Sequence, residues 1–114
     1  MEKTILIDGQ KIRFKTNGAL PLRYKAQFGQ DYFKEIIKMA PLAKLNNEEI
    51  EQSDLNALDF EVFYNIAWIM AKTADTSIPE PIEWLEEFEE FPIADILPEL
   101  QDLIINSLQG AKKK

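Results

Sequence analysis

FEVFYNIAWIMAKTAD, residues 60–75, decides how the rest of the chain is read. Phe60, Phe63, Ala67, Met70 and Ala74 recur at three-to-four spacing, the repeat of one helix face. Ile66 and Ile69 widen that face, and Tyr64, Trp68 and Ala71 form a second one. A helix apolar on most of its circumference is buried on most of it. The stretch is therefore expected to be a central helix, capped by Asp59, with the other elements packed around it. Met70 and Trp68 read as core residues, not as cofactor contacts.

Upstream, TILIDGQKIRFKT (residues 4–16) reads as a β-hairpin. Ile5 and Ile7 alternate before the turn, Ile12 and Phe14 after it, and Asp8-Gly9 supplies the left-handed backbone a tight turn needs. Asn17-Gly18 ends the second strand. A lone hairpin is marginal in water, so its apolar face must pack on helices or pair with another strand. PLRYKAQFG (21–29) starts a helix with Pro21 in its first turn and Gly29 as its C-terminal cap. Leu22 and Ala26 are expected to point inward, with Phe28 and Tyr24 at the margin of that face. Asp31 caps a second helix, DYFKEIIKMA (31–40), with an apolar stripe of Phe33, Ile36, Ile37 and Ala40.

LNNEEIEQSDLNALDF (45–60) is polar and acidic, a loop or short helix with Ser53 or Asp54 as a cap. Thr76-Ser77-Ile78-Pro79 is a turn. PEPIEWLEEFEEF (79–91) reads as helical from about Pro81, with Ile82, Leu85, Phe88 and Phe91 on one face and Trp84 beside them. Pro92 breaks this helix. IADILPELQDLIINSLQG (93–110) is a last helix, which Pro98 either kinks or restarts and Gly110 stops. The expected fold is α+β and mostly α-helical: an N-terminal β-hairpin followed by about five helices in one compact domain. That domain spans residues 1–110, and residues 111–114 form a flexible basic tail.

Composition narrows the chemistry. The chain has 114 residues, an apolar fraction of 46%, no cysteine and no histidine. Disulfides, thiolate metal sites and the histidine-based catalytic triads are thereby excluded. The usual neutral-pH general base and the commonest zinc ligand are missing too, so any catalysis would need carboxylates, Lys, Tyr or a hard-cation site. The acidic stretches lack the D-x-[DN]-x-[DN]-G pattern of a calcium loop. No apolar run reaches the roughly 20 residues of a membrane span, and the start lacks a secretory signal pattern. A non-enzyme with no cofactor and no metal, in an intracellular compartment, is the expectation.

GALPLRYKAQFGQD (18–31) invites a phosphate-loop or nucleic-acid reading. Gly18 and Gly29 stand far apart and no G-K-[ST] follows, so the loop reading fails. Arg23 and Lys25 suit phosphates, but a net charge of −7 repels a polyanion from most of the surface. Charge is also uneven. Residues 1–44 hold nine Lys/Arg against four Asp/Glu; residues 45–111 hold sixteen Asp/Glu against Lys72 alone. A basic front and an acidic rear would let copies of the chain join head to tail.

Taken in order, IDGQKIRF, PLRYKAQFGQD, LDFEVFYNIAWIMAKTAD and IEWLEEFEEFPIADILPEL resemble the small tail assembly chaperones of long-tailed bacteriophages and prophages of Gram-positive bacteria. The resemblance runs over roughly residues 3–105 and lies in the order of the stretches, since no one motif carries a chemistry. It implies a non-enzymatic protein of the bacterial cytoplasm, absent from the mature virion. Such a protein binds the tape measure protein, keeps it soluble and helps bring in the tail tube protein, in part through a longer product of ribosomal slippage. The alternative is another small phage structural or connector-type protein. Candidate partner-binding residues are Trp84, Phe88, Phe91, Leu103 and Ile104, as members of the last two helices that could be exposed; the same spacing reads first as core.

Overall fold

Two left-handed residues set the first element. Asp8 (φ 52°) and Gly9 (φ 78°) join β1 (Glu2–Ile7) to β2 (Gln10–Lys15). Asp and Gly are the residues that accept this backbone most readily. The strands pair antiparallel with Ile7 opposite Gln10 and Ile5 opposite Ile12. Ile5, Ile7 and Phe14 are buried on one face, while Thr4, Leu6, Lys11, Arg13 and Lys15 face water on the other. The computed structural model describes residues 1–38 and 60–113. Beyond the hairpin it has five helices among those residues: α1 (Leu20–Phe28), α2 (Tyr32–Lys38), α3 (Phe60–Ala74), α4 (Pro81–Leu85) and α5 (Ile93–Lys113). The expected α+β fold with an N-terminal hairpin is the one found. The Cα radius of gyration is 13.8 Å, near the ~13 Å of a compact chain this long.

The central helix is where the sequence put it. Val62, Phe63, Ile66, Ala67, Trp68, Ile69, Met70 and Ala71 of α3 are all buried. β2, α1 and α4 pack around α3, and α5 lies against β1. Phe60 at the start of α3 is exposed. Asp59, Ser53, Asp54 and the 45–58 segment lie outside the described residues.

The two short helices after the hairpin are rotated from their expected faces. In α1 the core side is Leu20, Tyr24 and the half-buried Phe28, whereas Leu22 is 76% exposed and Ala26 faces water. Two aromatic rings bury more apolar area than Leu and Ala, and the Tyr24 hydroxyl finds a partner inside, which removes the usual penalty. In α2 the buried pair is Tyr32 and Glu35; Phe33 and Ile36 are half-buried and Ile37 is exposed. Ala40 of the expected stripe lies outside the described residues. Gly29 caps α1 as read, with φ 75° and its N–H on the Lys25 carbonyl at 2.8 Å.

The acidic stretch departs most. The helix from Pro81 ends at Leu85 instead of running on towards Phe91. Glu87 and Phe88 donate their N–H groups back three residues, to Trp84 and Leu85, the tightening typical of a helix that is ending. Continued as a helix, Glu83, Glu86, Glu87 and Glu90 would stand one turn apart as like charges. The chain turns out instead, and the Asp8 carboxylate accepts the Glu89 N–H at 3.0 Å. Pro92 offers its carbonyl to the N–H groups of Asp95 and Ile96 at the start of α5. Pro98 neither ends nor restarts that helix. Gly110 does not stop it either, since α5 runs through to Lys113. A glycine inside a helix costs only about 1 kcal/mol relative to alanine.

This arrangement makes a test. Trp84 is fully buried and Ile82, on the same short helix, is 73% exposed. Trp84→Ala should lower unfolding free energy by about 3–5 kcal/mol, and Ile82→Ala should change it by about 0.5 kcal/mol or less. Urea unfolding midpoints of the two variants read the contrast.

Candidate functional site

The five residues read as candidate partner contacts all belong to, or pack against, the core. Trp84, Phe88, Leu103 and Ile104 belong to the buried core, and Phe91 is half-buried against it. The core reading of these residues is the one found, and the alternative that they form an exposed docking stripe is corrected. Phe91 is the hub of this region. Its ring lies 5.6 Å from Trp84, 5.5 Å from Phe88, 6.1 Å from Phe63 and 5.8 Å from Tyr64. Trp84 in turn meets Phe14 of β2 edge-on at 6.5 Å. These rings fasten the acidic segment to α3 and to the hairpin. Among the described residues the exposed large apolar side chains are different ones: Met1, Leu6, Leu22, Ile37, Phe60, Ile82 and Ile105, spread over the hairpin and all five helices. Single exposed apolar residues are ordinary on a soluble surface. Leu22 and Ile82 were read as core from spacing alone, and no sequence signal marked them as exposed.

Polar contacts from three places in the N-terminal part of the chain end on α5. Lys3 of β1 bridges Glu99 at 2.8 Å and Asp102 at 3.0 Å on α5, and these bonds hold its ammonium above its usual range. Thr16 donates to Asn106 at 3.0 Å. Tyr32 of α2 meets Ser107 at 3.0 Å, while the Ser107 hydroxyl donates to the Ile104 carbonyl at 2.6 Å. Ser107 has one proton, so Tyr32 is the donor of the pair. Burial pushes the Tyr32 phenol up to about 12, with the bond to Ser107 pulling the other way.

At the far end of α3, Lys72 donates to the Thr76 and Ile78 carbonyls at 2.9 and 2.7 Å. Its ammonium also lies 5.9 Å from the Trp68 ring centre, and the Trp68 indole N–H donates to the Pro79 carbonyl at 2.8 Å. The only base of residues 45–111 thus closes a helix end, where a cation meets the negative end of the helix dipole. Asp75 accepts from the Ser77 hydroxyl and backbone N–H, and these bonds hold its carboxyl below the usual range.

Glu35 is the one buried carboxylate among the described residues. It accepts from the Tyr24 hydroxyl at 2.9 Å and from Lys38 at 3.1 Å. A shallow depression of about 240 Å³ beside it is lined by residues that include Gln30, Glu61 and Asn65. A larger one, about 360 Å³, lies where the hairpin meets α5, lined by Thr16, Asn17, Pro21, Asn106 and Ser107 among others. Among the described residues no group of three or more acidic side chains is placed to hold a metal ion. No helix there is long and apolar enough to cross a membrane. Arg23 and Lys72 line a third depression, about 260 Å³, floored by Trp68 and Ile69. No family model, curated protein or solved structure matches this chain.

Two outcomes follow from the buried groups. Tyr24→Phe leaves a buried carboxylate oxygen short of a donor and should cost about 1–3 kcal/mol in urea unfolding. Tyr32 is protonated in the fold up to about pH 12, against an ordinary 10.0. Its contribution is full below that ordinary value and is lost as pH climbs through the folded one, by up to about 1.4 kcal/mol per pH unit. Between about pH 8 and about pH 11 the unfolding midpoint should fall further for the parent chain than for Tyr32→Phe.

Proposed function

We propose that this chain is a tail assembly chaperone of a long-tailed bacteriophage or prophage, acting on the tape measure protein. One observation carries the reading: four stretches in a fixed order, IDGQKIRF, PLRYKAQFGQD, LDFEVFYNIAWIMAKTAD and IEWLEEFEEFPIADILPEL, over most of the chain. The physical setting supports it. A protein that holds a long, helical, aggregation-prone chain in solution needs a stable core, a charged exterior and a contact surface. It needs no reactive group, and this chain has neither histidine nor cysteine. A net charge of −7 keeps complexes soluble.

In this role the protein works in the cytoplasm of the bacterial host and leaves before the virion is complete. It recruits the tail tube protein through a longer slippage product of the same gene. The run Lys112-Lys113-Lys114 suits such slippage, because consecutive lysine codons are A-rich.

Co-expression with the tape measure protein of the same tail gene cluster tests the reading. A tape measure protein that turns from insoluble to soluble, and co-purifies with several copies of this chain, is the expected result. Insolubility that persists with both the short chain and any slippage product would overturn it.

A further inference from the structure

The hairpin is a two-stranded sheet, and its register decides which backbone groups are free. Ile7 opposite Gln10, Ile5 opposite Ile12 and Lys3 opposite Phe14 are the pairs that exchange hydrogen bonds in a hairpin with a two-residue turn. The Thr16 N–H on the Met1 carbonyl, at 2.9 Å, falls in the same phase. Glu2, Thr4 and Leu6 therefore turn their N–H and C=O groups away from β2. None of these groups has a hydrogen-bond partner among the described residues. On β2 the corresponding residues are Lys11, Arg13 and Lys15.

The two edges differ in how they meet another strand. Lysine and arginine along an edge oppose pairing with a like edge. β2 carries three such cations, and Arg13 is further engaged with the Ala74 carbonyl at 3.0 Å. β1 carries none at the outward positions. Its Glu2 is already paired with Arg13 at 3.2 Å, Thr4 is neutral, and Leu6 is an apolar side chain left 67% exposed on a strand.

We propose that the outer edge of β1 pairs antiparallel with the same edge of a second copy of this chain, joining two hairpins into one four-stranded sheet. A twofold axis at Thr4 brings Thr4 opposite the second copy's Thr4, and Leu6 opposite the second copy's Glu2. Each outward pair then exchanges two hydrogen bonds. No like charges face each other across this seam, whereas joining β2 to β2 would oppose Arg13 to Arg13 and Lys11 to Lys15. Leu6, already opposite Lys11 in its own hairpin, gains a neighbour on its other side. The contact is isologous and closes at two copies. It also differs from a head-to-tail charge contact, because Lys3 meets Glu99 and Asp102, and Asp8 meets the Glu89 backbone, within one chain. The proposal stands on the hairpin and is independent of the tail-assembly reading.

Sedimentation equilibrium of the purified full chain tests it, up to about 200 μM so that mass action favours a weak dimer. A dimer is expected, with the Thr4 and Leu6 amides protected from hydrogen exchange only at the higher concentrations. Thr4→Pro removes an N–H that has no partner in the monomer, a position where an edge strand tolerates proline. It should weaken the dimer about tenfold or more with the far-ultraviolet circular dichroism retained. Leu6→Lys puts a cation on the edge without touching the backbone and should act in the same direction. Screening by about 0.5 M salt should leave the parent dimer intact. A chain monomeric throughout, a dimer unmoved by both variants, or a dimer that dissociates in salt would each overturn the proposal.

Discussion

A helix that is apolar nearly all the way round cannot rest on a surface; it has to be enclosed. α3 imposes that condition on this chain. Eight consecutive or near-consecutive residues from Val62 to Ala71 are buried, so neighbours are needed on several sides at once. β2 covers one side, α1 a second and α4 a third. The hairpin gains from the same arrangement. Its single apolar face, marginal in water, is covered through Ile5, Ile7 and Phe14.

Within that enclosure, polar tips decide the rotation of the smaller helices. Tyr24 turns inward because its hydroxyl reaches Glu35, and Tyr32 turns inward because its hydroxyl reaches Ser107. Both rings join one aromatic run, Tyr32 to Tyr24 at 5.6 Å, Tyr24 to Phe28 at 4.7 Å and Phe28 to Trp68 at 5.8 Å. No buried side-chain nitrogen or oxygen among the described residues lacks a partner. A core of this kind gains specificity of orientation from bonds that a purely aliphatic one would lack.

Features set by local pattern were legible in the sequence. Asp8-Gly9 announced the hairpin, Gly29 the end of α1, and the 60–75 periodicity the central helix. Features set by distant partners were not. Spacing alone ranks Leu22 and Ala26 with Tyr24, and only the position of Glu35 in space separates them. The end of α4 depends on Asp8, eighty-one positions before Glu89. Phe88 and Phe91 looked like the end of a stripe because they were read on a continuous helix. Once the chain leaves the helix at Leu85, both rings fold back against Trp84, and Phe91 reaches Phe63 and Tyr64. The edge of β1 was hidden for a different reason, because backbone direction follows from strand register and not from residue type.

The two tryptophans, the only ones in the chain, sit at different joints. Trp68 is held by the Pro79 carbonyl and overlain by Lys72 at the end of α3, while Trp84 lies among Phe14, Phe88 and Phe91 where the acidic segment meets the hairpin. One indole has a cation and a carbonyl dipole beside it; the other has mostly hydrocarbon. Their emission should therefore differ in wavelength and respond separately to disturbance. The chain carries two intrinsic optical probes, one for each joint.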